Sequence, residues 1–259
     1  MSVFKAVFLG TGTSQGVPVI ACKCEVCQSE DERDKRLRTS LMFTIKDKNY
    51  VIDTGPDFRQ QMLREKVDSL DAILFTHEHK DHIAGMDDVR AFNFASQSSM
   101  EVYASPLVEI GLKKEFHYVF GDYKYPGIPQ INLNIIGDES FKVGEETVTP
   151  INVMHYKLPV KGFRIRDFVY ITDANFISEE EFNKLKDVNV LVLNALRKTK
   201  HISHFSLDEA IAIIKRINPK KAYLTHISHL MGKHAEVSKI LPNNVEIAYD
   251  GLQIDLNAH

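Results

Sequence analysis

The segment FTHEHKDHIAG places His77, His79, Asp81 and His82 on one short stretch, directly after the apolar run DAILFT. Imidazoles two apart on an extended or turning backbone, followed by Asp-His entering a helix, can face one cavity. Nitrogen and carboxylate ligands at this density suit zinc, manganese or iron. Such groups seldom crowd beside a buried strand unless something holds them there; the plainer alternative is a polar surface loop. Three further candidates each end an apolar run of their own: His155 in INVMH, Asp173 in VYITDAN and His226 in AYLTHISH. Each is a strand delivering one side chain to one edge of a sheet, and the carboxylate of Asp173 can bridge two cations. Two such cations lower the pKa of a shared water and stabilise the charge that builds on an attacked centre. That chemistry is hydrolysis. It does not choose the bond.

A second cluster lies near the N-terminus. ACKCEVCQ holds Cys22, Cys24 and Cys27, the only cysteines of the chain. A closed structural zinc site requires four ligands, so one must come from elsewhere. An odd number of thiols this close together does not make a disulfide framework, which points to a reduced, cytoplasmic protein.

The 259 residues suffice for a substantial core, and the 44% hydrophobic and 26% charged fractions are those of an ordinary soluble protein. The formal net charge of −3 and the lack of a basic stripe argue against a large nucleic-acid partner. MSVFKAVFLGTGTSQG is not apolar enough for a signal peptide, and no window approaches a membrane span. With no repeat and no linker, one domain over residues 1–259 is the expectation.

The elements that must position these groups follow from pattern. VFKAVFLG reads as a buried strand entering the Gly-rich loop GTGTSQGVP; SLMFTIK and NYVIDT read as a hairpin on a DKN turn. PDFRQQMLREK reads as a helix with proline at its first position, and AGMDDVRAFNFA and SPLVEIGLKKEF as two more around the strand EVYA. HYVFGDYKYPGIP, residues 117–129, reads as a long loop, either a lid or a packed surface segment. Strands follow in INLNII, FKVGEETVTPINVMH, FRIRDFVYITDA, VNVLVLNA and KAYLTH, with helices in SEEEFNKLK and SLDEAIAIIKRI. VEIAYDGLQIDL reads as a terminal hairpin on the Asp250-Gly251 turn.

The ordered pattern His-x-His-x-Asp-His, a later His, an Asp and a final His resembles the metallo-β-lactamase superfamily over most of the chain. The resemblance implies an α/β (α+β) αββα sandwich, two mixed β-sheets flanked by helices. It implies one metal held by His77, His79 and His155, and a second held by Asp81, His82 and His226, with Asp173 shared. Asp53 in VIDTG would orient ligands without being one. Within the superfamily, LGTGTSQGVP, the cysteine cluster, NALRKTKHISHFSLDEA and LTHISH are most similar to the PhnP-type phosphodiesterases. That likeness supplies the missing ligand: a structural zinc on Cys22, Cys24, Cys27 and His229. It also implies a catalytic, non-ligand role for His204, as proton donor to a leaving alkoxide or as a bond to a phosphate oxygen, with Asp81 helping to orient the nucleophile. His201 competes for the first role. Arg197 and Lys200 either neutralise a phosphate or are solvated charges, and His117, His234 and His259 receive no role.

The expected activity is metal-dependent hydrolysis of a small phosphodiester, cyclic or of ribose or nucleotide type, with zinc or manganese in the active site. A glyoxalase-type thioesterase or lactonase, a tRNase Z-like RNA-processing enzyme and a metal-binding scaffold without activity are the alternatives. The short interval from His155 to Asp173 leaves no room for a protruding RNA-binding arm. Related folds are often dimers, and the sequence leaves the oligomeric state open.

Overall fold

Alternation along the strands decides the layering. In the first strand Phe4, Ala6 and Phe8 pack into one apolar cluster while Val7 and Leu9 pack into another, so both faces are covered. The computed structural model describes residues 3–122 and 125–257. One sheet contains β1 (Phe4–Gly10), β2 (Ser40–Ile45), β3 (Lys48–Ile52), β4 (Ala72–Leu74), β5 (Met100–Ala104) and β6 (Ile131–Ile135). The other contains β7 (Phe141–Val143), β8 (Glu146–His155), β9 (Leu158–Ile165), β10 (Phe168–Ile171), β11 (Phe176–Ile177), β12 (Val190–Asn194), β13 (Lys221–Thr225) and β14 (Val245–Ile247). A last strand, β15 (Gln253–Asp255), returns to the first sheet beside β1. The orders are β15-β1-β2-β3-β4-β5-β6 and β11-β8-β9-β10-β12-β13-β14, with β7 on β8.

Phe8, Phe43, Leu74, Phe163, Tyr170 and Tyr223 belong to the core that joins the sheets. Helices cover the outside: α1 (Phe58–Glu65), α2 (Lys80–Ile83), α3 (Arg90–Ser96), α4 (Pro106–Glu115) and α5 (His117–Phe120) in the first half of the chain. The second half supplies α6 (Glu179–Phe182), α7 (Leu207–Ile217) and α8 (His234–Val237). Helix α7 starts on a capping box in which Ser206 accepts from the Glu209 N–H and Glu209 accepts from Ser206 in return. Two sheets packed face to face with helices outside are the expected αββα sandwich.

Four local expectations are corrected. The first hairpin turns on Lys46-Asp47, both left-handed, without Asn49, which already lies in β3. Pro56 stands before α1, whose N-cap is Asp57. Residues 117–120 of the expected loop are helical, forming a short α5 that follows α4 across the non-helical Phe116; Tyr123 and Lys124 lie outside the described residues. The terminal segment is no hairpin: β14 pairs with β13 and β15 with β1, so the Asp250-Gly251 turn carries the chain from one sheet to the other.

The Asp250 carboxylate accepts bonds from the Thr11 N–H (2.9 Å), the Thr11 hydroxyl (2.7 Å) and the Leu37 N–H (2.7 Å). These non-local bonds outweigh a local turn, and they fasten the loop after β1 to the crossover. Asp250→Ala would leave buried amides without acceptors, and we expect it to cost about 2–4 kcal/mol in urea unfolding. An unchanged midpoint would show that the crossover does not hold this loop.

Candidate metal centre

The ligand-bearing strands all end on one side of the sandwich. β4 runs into Thr76 and His77, β8 ends on His155, β10 leads to Asp173 and β13 to His226. Asp53, Asp173 and His226 each have left-handed backbones (φ 64°, 54° and 57°). This conformation costs a non-glycine residue about 1–2 kcal/mol and is met mainly where structure around it demands it. Here it breaks the strand and turns the residue's own side chain across the sheet end. Gly55 makes the packing beneath the cluster possible, since a Cβ there would lie 2.2 Å from the Asp81 carbonyl oxygen.

Asp173 is the centre of the site. His82 Nε2 lies 3.2 Å from its Oδ2, and His226 Nε2 and His204 Nε2 each lie 3.1 Å from its Oδ1. Asp81 Oδ2 is a further 3.2 Å from His82 Nε2. The ligand atoms of Asp81, His82, Asp173 and His226 fall within 4.8 Å of one another, as do those of His155, Asp173 and His204. The His77 ring packs against those of His79 and His155 at centroid distances of 4.6 and 5.8 Å, and His79 lies 5.2 Å from His155. Every residue named for the active site is therefore gathered here. His204, expected outside the ligand set, sits within bonding distance of the shared carboxylate, its ring stacked on His226 at 4.8 Å.

Do these residues fit a metal? Nε2 of His82 and of His226 are fully buried and make no hydrogen bond, although carboxylate oxygens lie beside them. Ligands about 2.0–2.1 Å from a tetrahedral ion stand about 3.3 Å apart, close to the 3.1–3.2 Å separations of His82 and His226 from Asp173. The orienting bonds are in place as well. His82 Nδ1 bonds Asp53 Oδ2 (2.7 Å), turning Nε2 inward, and His155 Nδ1 bonds the Ser203 carbonyl (2.7 Å). Asp53 is itself fixed by the Thr76 N–H and hydroxyl, both at 2.8 Å.

Electrostatics agrees. Burial lowers the proton affinity of His77 and His155, which leaves them neutral and free to ligate. Burial also pushes Asp173 up, but His226 and His82 overcome it and hold the carboxyl well below its usual range. His82 goes the other way: burial lowers it, yet Asp173, Asp81 and Asp53 together raise it far above an ordinary histidine. A site that pulls this strongly on a proton is one that a cation can fill. Burial pushes His204 down to about 4 against the pull of Asp173.

The cysteines form the second cluster. His229 Nδ1 lies 3.3 Å from Cys22 Sγ, 3.3 Å from Cys24 Sγ and 3.6 Å from Cys27 Sγ. Zinc with bonds of about 2.3 Å to sulfur and 2.0 Å to nitrogen has S···N edges of about 3.5 Å, so these four groups fit a closed Cys₃His site. The site sits three residues past His226. Between them Ile227 accepts from the Thr13 N–H (3.1 Å) and donates to the Thr11 carbonyl (2.8 Å). The N-terminal loop is thus pinned to the segment that carries His226.

Other expectations end elsewhere. Arg197 spends its guanidinium on the Thr199 and Lys200 carbonyls of its own loop, and the Lys200 side chain is exposed. His234 is buried against Arg36 and Tyr249, with its N–H on Asp34. His259 lies outside the described residues. Sequence reasoning passed over the buried threonines beneath the site, of which Thr172 donates to Asp173 Oδ2 (2.7 Å). Their recurrence at strand ends was the available signal.

Two back-to-back sheets with this histidine and aspartate cluster at one edge define a metallo-β-lactamase fold. The family model for the beta-lactamase superfamily domain matches residues 48–227, and the chain belongs to that superfamily. It is 36% identical to the protein described in "Crystal Structure of a New Diphosphatase from the PhnP Family", covering 98% of both chains with a TM-score of 0.92. It shares 42% identity over 96% of its length with an octanoyltransferase of Porphyromonas gingivalis, of which it spans only about half (51%). Zn(2+)-bound PqqB from Methylobacterium extorquens, 18% identical over 97% of this chain and all of that one, has the same fold at a TM-score of 0.78.

Two outcomes test the centre. Asp53→Ala should weaken active-site metal binding about 10–100-fold in a chelator competition, because His82 loses the acceptor that orients it; unchanged affinity would contradict this. A metal held by the cysteine cluster should be lost in Cys24→Ser, with a lower melting temperature. A variant as stable as the wild type would deny that site its structural role.

Proposed function

We propose that the protein is a metal-dependent hydrolase acting on a small phosphodiester or related phosphoric ester, with two divalent ions in the active site and a zinc in the Cys₃His site. The observation that carries this reading is the convergence of His82, His226 and His204 on the two oxygens of Asp173, with Asp81 beside His82 in the same cluster. His77, His79, His155 and Asp173 would hold one ion; Asp81, His82, His226 and Asp173 the other. Zinc and manganese both suit these ligands. Bound there, the ions supply an activated water and a positive clamp for the charge on the attacked centre.

The chain's own groups do the rest. Asp53 and the Ser203 carbonyl fix the tautomers of His82 and His155, so the imidazoles need no reorganisation when substrate arrives. Asp81, at the edge of the cluster, orients the nucleophile. Carboxylate oxygens only accept, so the 3.1 Å contact to Asp173 supports a proton on His204 Nε2, within the cluster. With Asp173 engaged by the ions, that N–H would turn to the oxygen that leaves. Ser203 Oγ and His201 Nδ1, at 3.0 and 3.1 Å from His204 Nδ1, hold the opposite edge of its ring.

The likeness to a PhnP-family diphosphatase supports chemistry at phosphorus. The octanoyltransferase name favours a second reading, an acyl thioester as substrate, but it describes a protein of about twice this length. Large RNA is disfavoured: β9, a two-residue turn and β10 fill the interval between His155 and Asp173.

With manganese or zinc loaded, the protein should hydrolyse bis(p-nitrophenyl) phosphate. His204→Ala should lower kcat about 100-fold or more with little change in KM. No diester turnover by the fully loaded protein, together with hydrolysis of an octanoyl thioester, would replace the first reading with the second.

A further inference from the structure

The rim beside His155 has an unusual composition. His155 pairs with Leu158, so Tyr156 and Lys157 are the whole of the turn between β8 and β9. Tyr156 is left-handed (φ 59°), at a turn position that favours glycine, asparagine or aspartate. Lys46 and Arg166 begin other hairpin turns in the same conformation, but their charged ends are at home in water. Among the described residues Tyr156 is the one phenol ring or phenyl ring held this way, and it is 53% exposed. Among the described residues, the apolar clusters do not include Tyr156. Lys157 Nζ lies 5.4 Å from the ring centroid.

A second apolar side chain stands exposed on the neighbouring segment. Ile202, 67% exposed, comes two residues before His204. The two segments are tied by one carboxamide: Asn175 Oδ1 accepts from the Tyr156 N–H (2.7 Å), and its Nδ2 donates to the Ile202 carbonyl (3.0 Å). Asn175 follows Asp173 by two residues, so the clasp is anchored to the centre of the metal cluster. The rings of His155 and His204, which these two residues flank, are themselves 4.5 Å apart.

We infer that Tyr156 and Ile202 form an apolar rim for the organic arm of the substrate on the His155–His204 side, and that the preferred ester carries an aromatic or comparably planar group there. This rests on the phosphoric-ester reading above. Tyr156 is then a specificity-determining residue. Its ring supplies a flat face to the substrate, Asn175 holds that face in register with the cluster, and Lys157 adds a positive charge beside it.

Paired ligands with one headgroup test it. Phenylphosphonate and methylphosphonate resist hydrolysis and differ only in the arm, so calorimetric titration of the metal-loaded protein with each isolates the rim. Wild type should bind phenylphosphonate at least about fivefold more tightly. Tyr156→Phe should keep that ratio. Tyr156→Asn should bring it near one with methylphosphonate affinity unchanged, and should raise the melting temperature about 2–4 °C by relieving the backbone. Equal affinities in the wild type, or a preference that survives Tyr156→Asn, would overturn the inference while leaving the phosphoric-ester reading intact. Failure to bind either phosphonate would remove that reading, and the inference with it. A change of oligomeric state in Tyr156→Asn with the ratio preserved would assign the rim to a second copy of the chain instead.

Discussion

Asp173 is the point on which the molecule turns. One of its oxygens faces His82, carried by the first sheet, and the other faces His204 and His226, carried by the second. A buried carboxylate is costly unless it is paired, and here the pairing groups come from both layers. The sandwich therefore has to bring two sheet edges to a common line, and the apolar seam of phenylalanines and tyrosines between the sheets does so. The left-handed backbones of Asp53, Asp173 and His226 are the local cost of turning three side chains inward.

The cysteine cluster serves the same geometry from a distance. His226 follows β13 on a loop that would otherwise be free to shift. That loop is gripped by backbone bonds between Ile227 and the segment Thr11–Thr13, and then by the set of Cys22, Cys24, Cys27 and His229. Asp250 holds Thr11 and Leu37 at the foot of the same segment, and the buried guanidinium of Arg36 bonds the Thr11 hydroxyl (2.9 Å) and the Ala248 carbonyl (2.5 Å). The N-terminal loop, polar and glycine-rich, thus acts as a brace for the last histidine of the site.

Much of this was legible in the chain before its fold. His77, His79, Asp81 and His82 share one six-residue stretch that runs from the end of β4 into α2, and His155, Asp173 and His226 each follow or end an apolar strand, so local pattern and chemistry coincide. His229 entered only through a family likeness, since spacing from three cysteines cannot choose among distant histidines. The misreadings have a common cause. VEIAYDGLQIDL has the alternation and the Asp-Gly turn of a hairpin, yet each half finds a better partner in a different sheet. Periodicity reports which faces are buried and says nothing of which strand lies alongside. For the same reason the depth of His204 and the strained exposure of Tyr156 could be seen only once the strands were in register.

The account stands or falls on Asp173 being shared by the active-site ions. The direct measurement is metal content by mass spectrometry for purified wild type and Asp173→Ala, with a circular dichroism spectrum to establish that the variant is folded. On the proposed reading, Asp173→Ala loses the active-site metal altogether and keeps the metal of the Cys₃His cluster. A folded Asp173→Ala protein with the metal content of the wild type would contradict it.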